Sequence, residues 1–504
     1  MSSASVAAAE SEQSITPQPW FYRFLSFRSA LAALFVVLAV MTVRARFNDP
    51  DMWWHLKLGQ IVAATHYIPQ FDTLSYTTGH HHTIPHEWLS QLFIYAAYAV
   101  HGYSGLMLWE CVLTSAILVA GFYLCTIYGG DAKIAFLGTL SIWAFGTVGY
   151  AIRPQLVGYL LLTCELIFLH LGRTRNPRWF LLLPPLFAIW INCHGSFCLG
   201  MAVLAVTAFT DVANLRIPGF AAGSAQPWSR RWLPWIFAAS GLALFLNPNG
   251  LEQILFPFSI MLNAHVNLDN IQEWRHLAIQ NGRTWVFIFE IACFAGLIFL
   301  RRARLTLAEF IVLAYAALES IQHERLIFPF GILAAPVLCR LLATQQRPQQ
   351  EDQQRPLLNA ALIVVALLVV WRAFPSAQDL NKQVEASSPV QATQFIQQHR
   401  LAGPLINNYD FGGYLIWSAP EYPVFVDGRG DIFEWTGVLG AYGEWIMGRS
   451  PARQLLDAYH INICLLSPNA AVVSEIKRLP EWKQVYADPI ALVFQRTSGA
   501  AASR

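Results

Sequence analysis

Apolar residues in this chain come in long blocks rather than alternating with polar ones. Such blocks lie at about 29–43, 88–100, 105–128, 134–150, 155–171, 180–192, 196–210, 233–246, 251–262, 284–300, 306–319, 325–342 and 358–373. An α-helix needs roughly 20 apolar residues to cross a bilayer, and several blocks are shorter. The pattern predicts about 11–13 helical passes, some of them tilted, re-entrant or interfacial. Between the blocks lie a polar loop at 47–86 and a Gln/Arg/Pro loop at 343–356. The Ser/Ala/Gln-rich start, residues 1–28, reads as a disordered cytoplasmic tail.

After Trp371 the texture changes. Residues 375–504 alternate apolar and polar stretches with frequent turn residues. Strands are predicted at Pro404–Asn407, Pro423–Val426, Asn462–Leu466 and Ala491–Gln495, and helices at about 390–400, 451–459 and 470–478. The chain thus reads as an α-helical polytopic membrane domain, 29–374, followed by a small α/β domain. Basic residues in short loops mark the cytoplasmic side. Arg23 and Arg28, then Arg173, Arg175 and Arg178, then Arg301, Arg302 and Arg304 are such clusters. They put the 47–86 loop and the C-terminal domain outside. Simple alternation through 88–171 puts the 172–178 loop on the wrong side, so one run there is expected to be a half-span.

Composition sharpens this picture. Hydrophobic residues make up 55% and charged residues 13%, against roughly a quarter charged in soluble domains. A water-exposed surface of this size cannot be coated with so little charge, which excludes a soluble enzyme. The net charge of +2 offers no basic field for nucleic acid. Trp20, Trp179, Trp232, Trp285 and Trp371 flank apolar runs, as interfacial rings do. The eight cysteines are scattered without a CxxC pair and read as small buried hydrophobes.

The 47–86 loop carries the densest chemistry. Asn48-Asp49-Pro50-Asp51-Met52-Trp53-Trp54-His55 sets two carboxylates at the end of a membrane helix. Pro50 fits a first helical position and Asp49 its N-cap. Asp51 and His55 then stand one turn apart. Trp54, Leu58, Ile61 and Val62 form a stripe expected to face lipid. One reading confines the two acids to capping and first-turn electrostatics. The other makes one of them a general base or cation ligand at the lipid–water boundary. His86-Glu87 stands at the entrance to the next run and suits proton transfer or metal ligation. His80-His81-His82 reads as a solvated tip. Arg153, His194, Gln272-Glu273-Trp274-Arg275 and the cluster Glu319, His323, Glu324, Arg325 punctuate later segments. Such groups at membrane depth are costly and default to function. Arg153 and Arg325 are natural phosphate clamps, because a guanidinium matches phosphate at two points.

The order of these parts resembles the GT-C class of membrane glycosyltransferases, which includes protein O-mannosyltransferases, oligosaccharyltransferases and aminoarabinose transferases. More narrowly, Asp49–Leu56, Phe71-Asp72-Thr73-Leu74-Ser75-Tyr76-Thr77, His86-Glu87-Trp88-Leu89, Asn192–Phe197, Asn247-Pro248-Asn249-Gly250 and Val426-Asp427-Gly428-Arg429 resemble a related group of bacterial multipass proteins. The resemblance implies an inner-membrane enzyme that moves a sugar from a polyprenyl-phosphate donor to an acceptor on the outer face, with inversion. It implies catalytic roles for Asp49, Asp51, His86 and Glu87, and donor-phosphate contacts from Arg153, His323 and Arg325. His55, Asp72 and His194 would meet the acceptor. Asp49 would be the acid or the ligand of a divalent cation, Mg or Mn. Pro50 splits the acidic pair, which is adjacent in many members, so which acid acts stays open. A transporter or flippase for a lipid or glycan, or a non-catalytic assembly protein, is the alternative. In Asp427–Asp431 an acceptor site and a loop ion pair are both open readings.

Overall fold

The computed structural model describes residues 24–214, 217–223, 226–263, 276–343 and 355–497. The tail up to residue 23, Gln272–Arg275 and 344–354 lie outside the described residues. The membrane part is a bundle of helices running between two ends, here the site end, which carries Asp49, and the far end. Helix α1, Phe27–Val43, starts at the far end, where Arg28 Nη2 donates to the Gly130 carbonyl at 3.3 Å. It hands the chain to Asp49 at the other. Helix α2, Met52–Thr65, stays at the site end, and the long α3, Trp88–Gly129, descends from it. Helix α4, Ala132–Gly146, returns, and the Thr147 carbonyl accepts from Arg46 Nη1 at 2.9 Å.

Helix α5, Gln155–Thr174, runs to the far end, Pro177–Trp190 comes back, and α6, Phe197–Ala213, descends. Helix α7, Ser229–Ala243, climbs again, and the nearby Leu246 carbonyl accepts from Asn192 Nδ2. Leu251–Asn263 starts there, and at Leu277 the chain is at the same end, bonded to Ile321. Helices α8, Gly282–Arg301, α9, Leu307–Gln322, α10, Ile327–Ala343, and α11, Pro356–Ala373, complete the passes.

Five described helices are long and apolar enough to cross a membrane unaided, and shorter apolar helices run beside them. The outward faces are apolar: Trp235, Phe289, Phe299, Leu300, Leu357 and Trp371 are each at least 70% exposed. Bare rings in such numbers match a lipid surround, not water. Helix starts are capped. Asp131 accepts from the Lys133 and Ile134 amides, and Thr306 with Glu309 forms a capping box.

Helix α3 is broken near its start. His101 and Gly102 leave the helical region, Gly102 at φ 58° and ψ −138°, a conformation only glycine adopts readily. After this bend Gly105 lies so close to the Ala97 carbonyl that a Cβ would stand 1.9 Å from it. The 88–100 segment packs instead on α2, where Gly59 abuts the Gln91 backbone. It begins at Glu87, and the chain beyond the bend is still within electrostatic reach of Asp49 at Glu110. The part after the bend runs to the far end at Gly130, beside Arg28, and the end of α5 and the start of α9 meet around one cavity at that end.

Beyond α11 comes a four-stranded sheet in the order β1-β2-β4-β3. Its strands are β1, Leu405–Asn407, β2, Ile463–Leu466, β3, Trp482–Ala487, and β4, Leu492–Arg496. The β1–β2 pair is parallel and the others antiparallel. The expected strand at Pro423–Val426 does not join the sheet. Val424 pairs with Ser75 of the 47–86 loop, accepting from Tyr76 N and donating to Leu74 O. That apolar run is buried because it lies between the loop and the sheet, not within a ladder. The β3 strand, exposed or half-exposed on most of its length, and the helix Ala377–Ser387 were not expected from the pattern.

Candidate functional site

The Asp49-Pro50-Asp51 turn forms as the chain leaves α1. Asp51, not Asp49, precedes the first helical residue, and it makes no side-chain cap bond. Asp49 Oδ1 instead accepts the Asp51 amide at 3.1 Å. Both Asp49 oxygens also face Arg153, with Nε–Oδ2 at 2.6 Å and Nη2–Oδ1 at 2.8 Å. Arg153 Nη2 reaches Asp51 Oδ2 at 3.1 Å as well. The first acid is thus fixed by a two-point ion pair and is almost buried. The second is more open, with its Oδ1 taking the Trp54 indole N–H at 3.2 Å. The stripe expected to face lipid does not. Trp54, Leu58 and Ile61 line a cleft of about 80 Å³ beneath the C-terminal domain.

Glu87 lies at the centre of three imidazoles drawn from three segments. Its Oε1 is 3.7 Å from His86 Nε2 and 3.7 Å from His194 Nε2, and its Oε2 is 3.9 Å from His55 Nδ1. Hydrogen bonds assign the protons. His194 Nδ1 accepts the Ser196 amide at 3.1 Å, so in the neutral ring Nε2 carries the proton toward Glu87. His86 Nδ1 faces the Ile84 carbonyl at 3.1 Å and donates, so its Nε2 lone pair faces Glu87. Burial pushes the Glu87 carboxyl up to about 7, against the pull of Arg325 and Arg153. Burial likewise holds His55, His86 and His194 below the usual imidazole range. Glu87 is therefore poised to gain or lose a proton near neutrality.

Arg325 joins the group from the turn just before α10, donating through Nη2 to Gln155 Oε1. Its neighbour Glu324 is held by Arg283 and by Asn281 Nδ2 at 2.8 Å, which fixes the turn that presents it. His323 ends α9, its amide bonded to the Glu319 carbonyl, two residues before Arg325. It is the Arg325 charge that reaches Glu87, His55 and His194.

Asp72 is bound differently from the rest. It accepts from Arg429 Nη1 at 2.6 Å, from the Ser75 hydroxyl, from Thr78 at 2.8 Å and from the Leu74 amide. Arg429 also grips Asp427 through Nε and Nη2. Asp72 and Asp427 are buried and the guanidinium nearly so. The triad ties the 47–86 loop to the C-terminal domain, and the loop ion pair is the reading of Asp427–Arg429 that the geometry favours. Gly413 and Gly428 bring that domain against the acids. A Cβ on Gly428 would stand 1.8 Å from Asp51 Oδ1, and one on Gly413 2.4 Å from the Pro50 carbonyl.

Asp51, Asp49, Arg153, Arg325, His55, His86, Glu87 and His194 therefore converge, while Asp72 lines the same cleft as His86 and Glu87 with its carboxylate bound to Arg429. Gln91 was not singled out, and Gln155 and Asp431 stood out only as parts of longer polar motifs. Gln91 donates to His55 at 3.3 Å. Asp431 lines the cleft with His86, and burial raises its carboxyl to about 6. The one available signal was the spacing Asp427-x-Arg429-x-Asp431. Among the described residues no group of three or more His, Cys, Asp or Glu side chains is arranged to hold a metal ion.

Solved structures share this architecture. ArnT from Cupriavidus metallidurans in the apo state aligns over 94% of this chain and 98% of its own, with a TM-score of 0.52 and 12% identity. Bound to undecaprenyl phosphate, the same protein gives a TM-score of 0.49. The Archaeoglobus fulgidus oligosaccharyltransferase tethered with an acceptor peptide aligns over 88% of this chain and 69% of its own, with a TM-score of 0.53 and 10% identity. No protein-family model matches the sequence, and no curated protein matches it. At these identities the likeness speaks to architecture, and on that ground the chain has the fold of the GT-C membrane glycosyltransferases.

Proposed function

We propose that this protein transfers a sugar from a polyprenyl-phosphate donor to an acceptor at the extracytoplasmic face of a bacterial inner membrane. The observation that carries the reading is the convergence, at one end of a GT-C fold, of two clamped aspartates, a second arginine and a glutamate ringed by imidazoles. ArnT, whose apo form shares the fold, has itself been solved with undecaprenyl phosphate. The far end gathers Arg173, Arg175, Arg178, Arg301, Arg302 and Arg304, which by the positive-inside rule makes it cytoplasmic and the site end outer.

Asp51 is the better base of the acidic pair. Asp49 has both oxygens on Arg153, so its role is to hold that guanidinium. The acceptor O–H gives its proton to Asp51. Its oxygen forms a bond to the anomeric carbon from the face opposite the leaving group, and the C–O bond to phosphate breaks with its electron pair going to the phosphate oxygen. The configuration inverts. Arg325 faces the phosphate, with Arg153 beside it, and stabilises the charge that develops there. Glu87 with His86 and His194 takes up the proton from Asp51. A divalent cation at Asp49 does not fit, because a metal would have to displace Arg153 from both carboxylate oxygens, and no step here runs through one.

The test is incubation of the purified protein in proteoliposomes with a panel of polyprenyl-phosphate sugars, following release of free polyprenyl phosphate. Release with at least one donor, lost in Asp51→Asn, supports the reading. Release unaffected by both Asp49→Asn and Asp51→Asn refutes it.

A further inference from the structure

A second cavity, about 140 Å³, lies at the opposite end of the bundle from Asp49. It is enclosed by α5, α6, α9 and α10. Its polar wall contains Arg173, Glu309 and Arg340, and its apolar wall Leu166, Val203 and Leu333. The chain direction orders these walls. In α5 Leu166 precedes Arg173 by seven residues, and in α10 Leu333 precedes Arg340 by seven, a rise of about 10 Å in each. Both helices run toward the far end, so the charges form the mouth and the aliphatic side chains a throat within the bundle.

The arginines are held without being used up. Arg173 binds Asp211 through Nε at 2.9 Å and Nη2 at 2.7 Å. Arg340 binds Glu309 through Nε at 3.0 Å and Nη2 at 2.6 Å. Both are oriented by two-point pairs, and among the described residues neither Nη1 has a protein acceptor. Asp211 and Glu309 balance the two guanidiniums, so the excess positive charge around the mouth comes from its neighbours. Arg175 and Arg304 follow and precede residues of the same wall, Thr174 and Thr306. A basic mouth over an apolar throat, between membrane helices, fits a phosphate oxyanion carried on an acyl chain.

We infer that this cavity binds the headgroup of an anionic membrane phospholipid, its phosphate between Arg173 and Arg340 and the start of its acyl chain in the Leu166–Leu333 throat. This site is separate from the Asp51 site and does not depend on the activity proposed there.

Native mass spectrometry of the delipidated full-length protein tests it, with phosphatidylglycerol, phosphatidylcholine or inorganic phosphate added back. One phosphatidylglycerol should bind, roughly tenfold tighter than phosphatidylcholine, as one charge-assisted contact would give. Thr207→Phe, which fills the cavity and spares both ion pairs, should abolish that preference. So should Arg173→Met combined with Asp211→Met, which removes one pair whole and strands no buried charge. Equal retention of the two lipids, or unchanged preference in Thr207→Phe, overturns the inference. Inorganic phosphate that binds and is not displaced by phosphatidylglycerol would mark a soluble-anion site and overturn it as well.

Discussion

Glu87 offers a test that needs no substrate. In the unfolded chain its carboxyl ionises near 4.5, and in the folded protein burial among three imidazoles moves this to about 7. Between those values the native state keeps a proton that the unfolded chain has released, so the Glu87 contribution to stability falls as pH rises. At 1.36 kcal/mol per pH unit, the displacement amounts to roughly 3 kcal/mol lost by pH 8. Glu87→Gln keeps the shape and cannot ionise. The variant should match the wild type below pH 4.5 and exceed it by up to about 3 kcal/mol above pH 7. The depressed imidazoles of His55, His86 and His194 act the other way, weakening the fold as pH falls below their unfolded value. Both proteins share that effect, so it largely cancels in the difference. Denaturant unfolding in detergent micelles, read by tryptophan fluorescence from pH 4.5 to 8, measures it. A stability difference that is flat across this range would refute the placement of Glu87 at the largely buried wall of an imidazole-lined cleft.

Arg429→Met leaves Asp72 and Asp427 buried without their cation and should cost about 3–5 kcal/mol, seen as earlier unfolding and as protease cleavage near residues 72–78. Gly428→Ala forces Asp51 aside, and about 100-fold loss of transfer rate is expected with donor affinity kept. Arg325→Ala should weaken donor binding in a direct binding assay, while Asp49→Asn, which loosens Arg153, should lower both donor affinity and rate.

The membrane architecture was legible because hydrocarbon length imposes itself on sequence as long apolar blocks. Arginine placement called for one irregular run between 88 and 171 without saying which. The Gly102 bend that breaks α3 is one glycine in an apolar run, and only the backbone reveals what it does. Asp49, Arg153 and Arg325 stood out because charges beside apolar runs are rare. Their partnership did not, since residues 49, 153 and 325 meet only after several passes. The partner of Asp72 was not legible either: an acid in a loop reads alike whether it faces a ligand or an arginine 357 positions away. The stripe on α2 had helical spacing, as expected, but the C-terminal domain covers it where lipid was predicted. Amphipathic spacing tells that a face is buried, not by what.

The most direct test of the account is a single-turnover measurement with a competent polyprenyl-phosphate sugar, comparing wild type, Asp51→Asn and Arg325→Ala for transfer rate and donor affinity. Asp51→Asn should bind donor normally and transfer at least ~100-fold more slowly, as loss of a positioned general base would give, whereas Arg325→Ala should bind donor poorly. Wild-type transfer rates in Asp51→Asn would contradict the account.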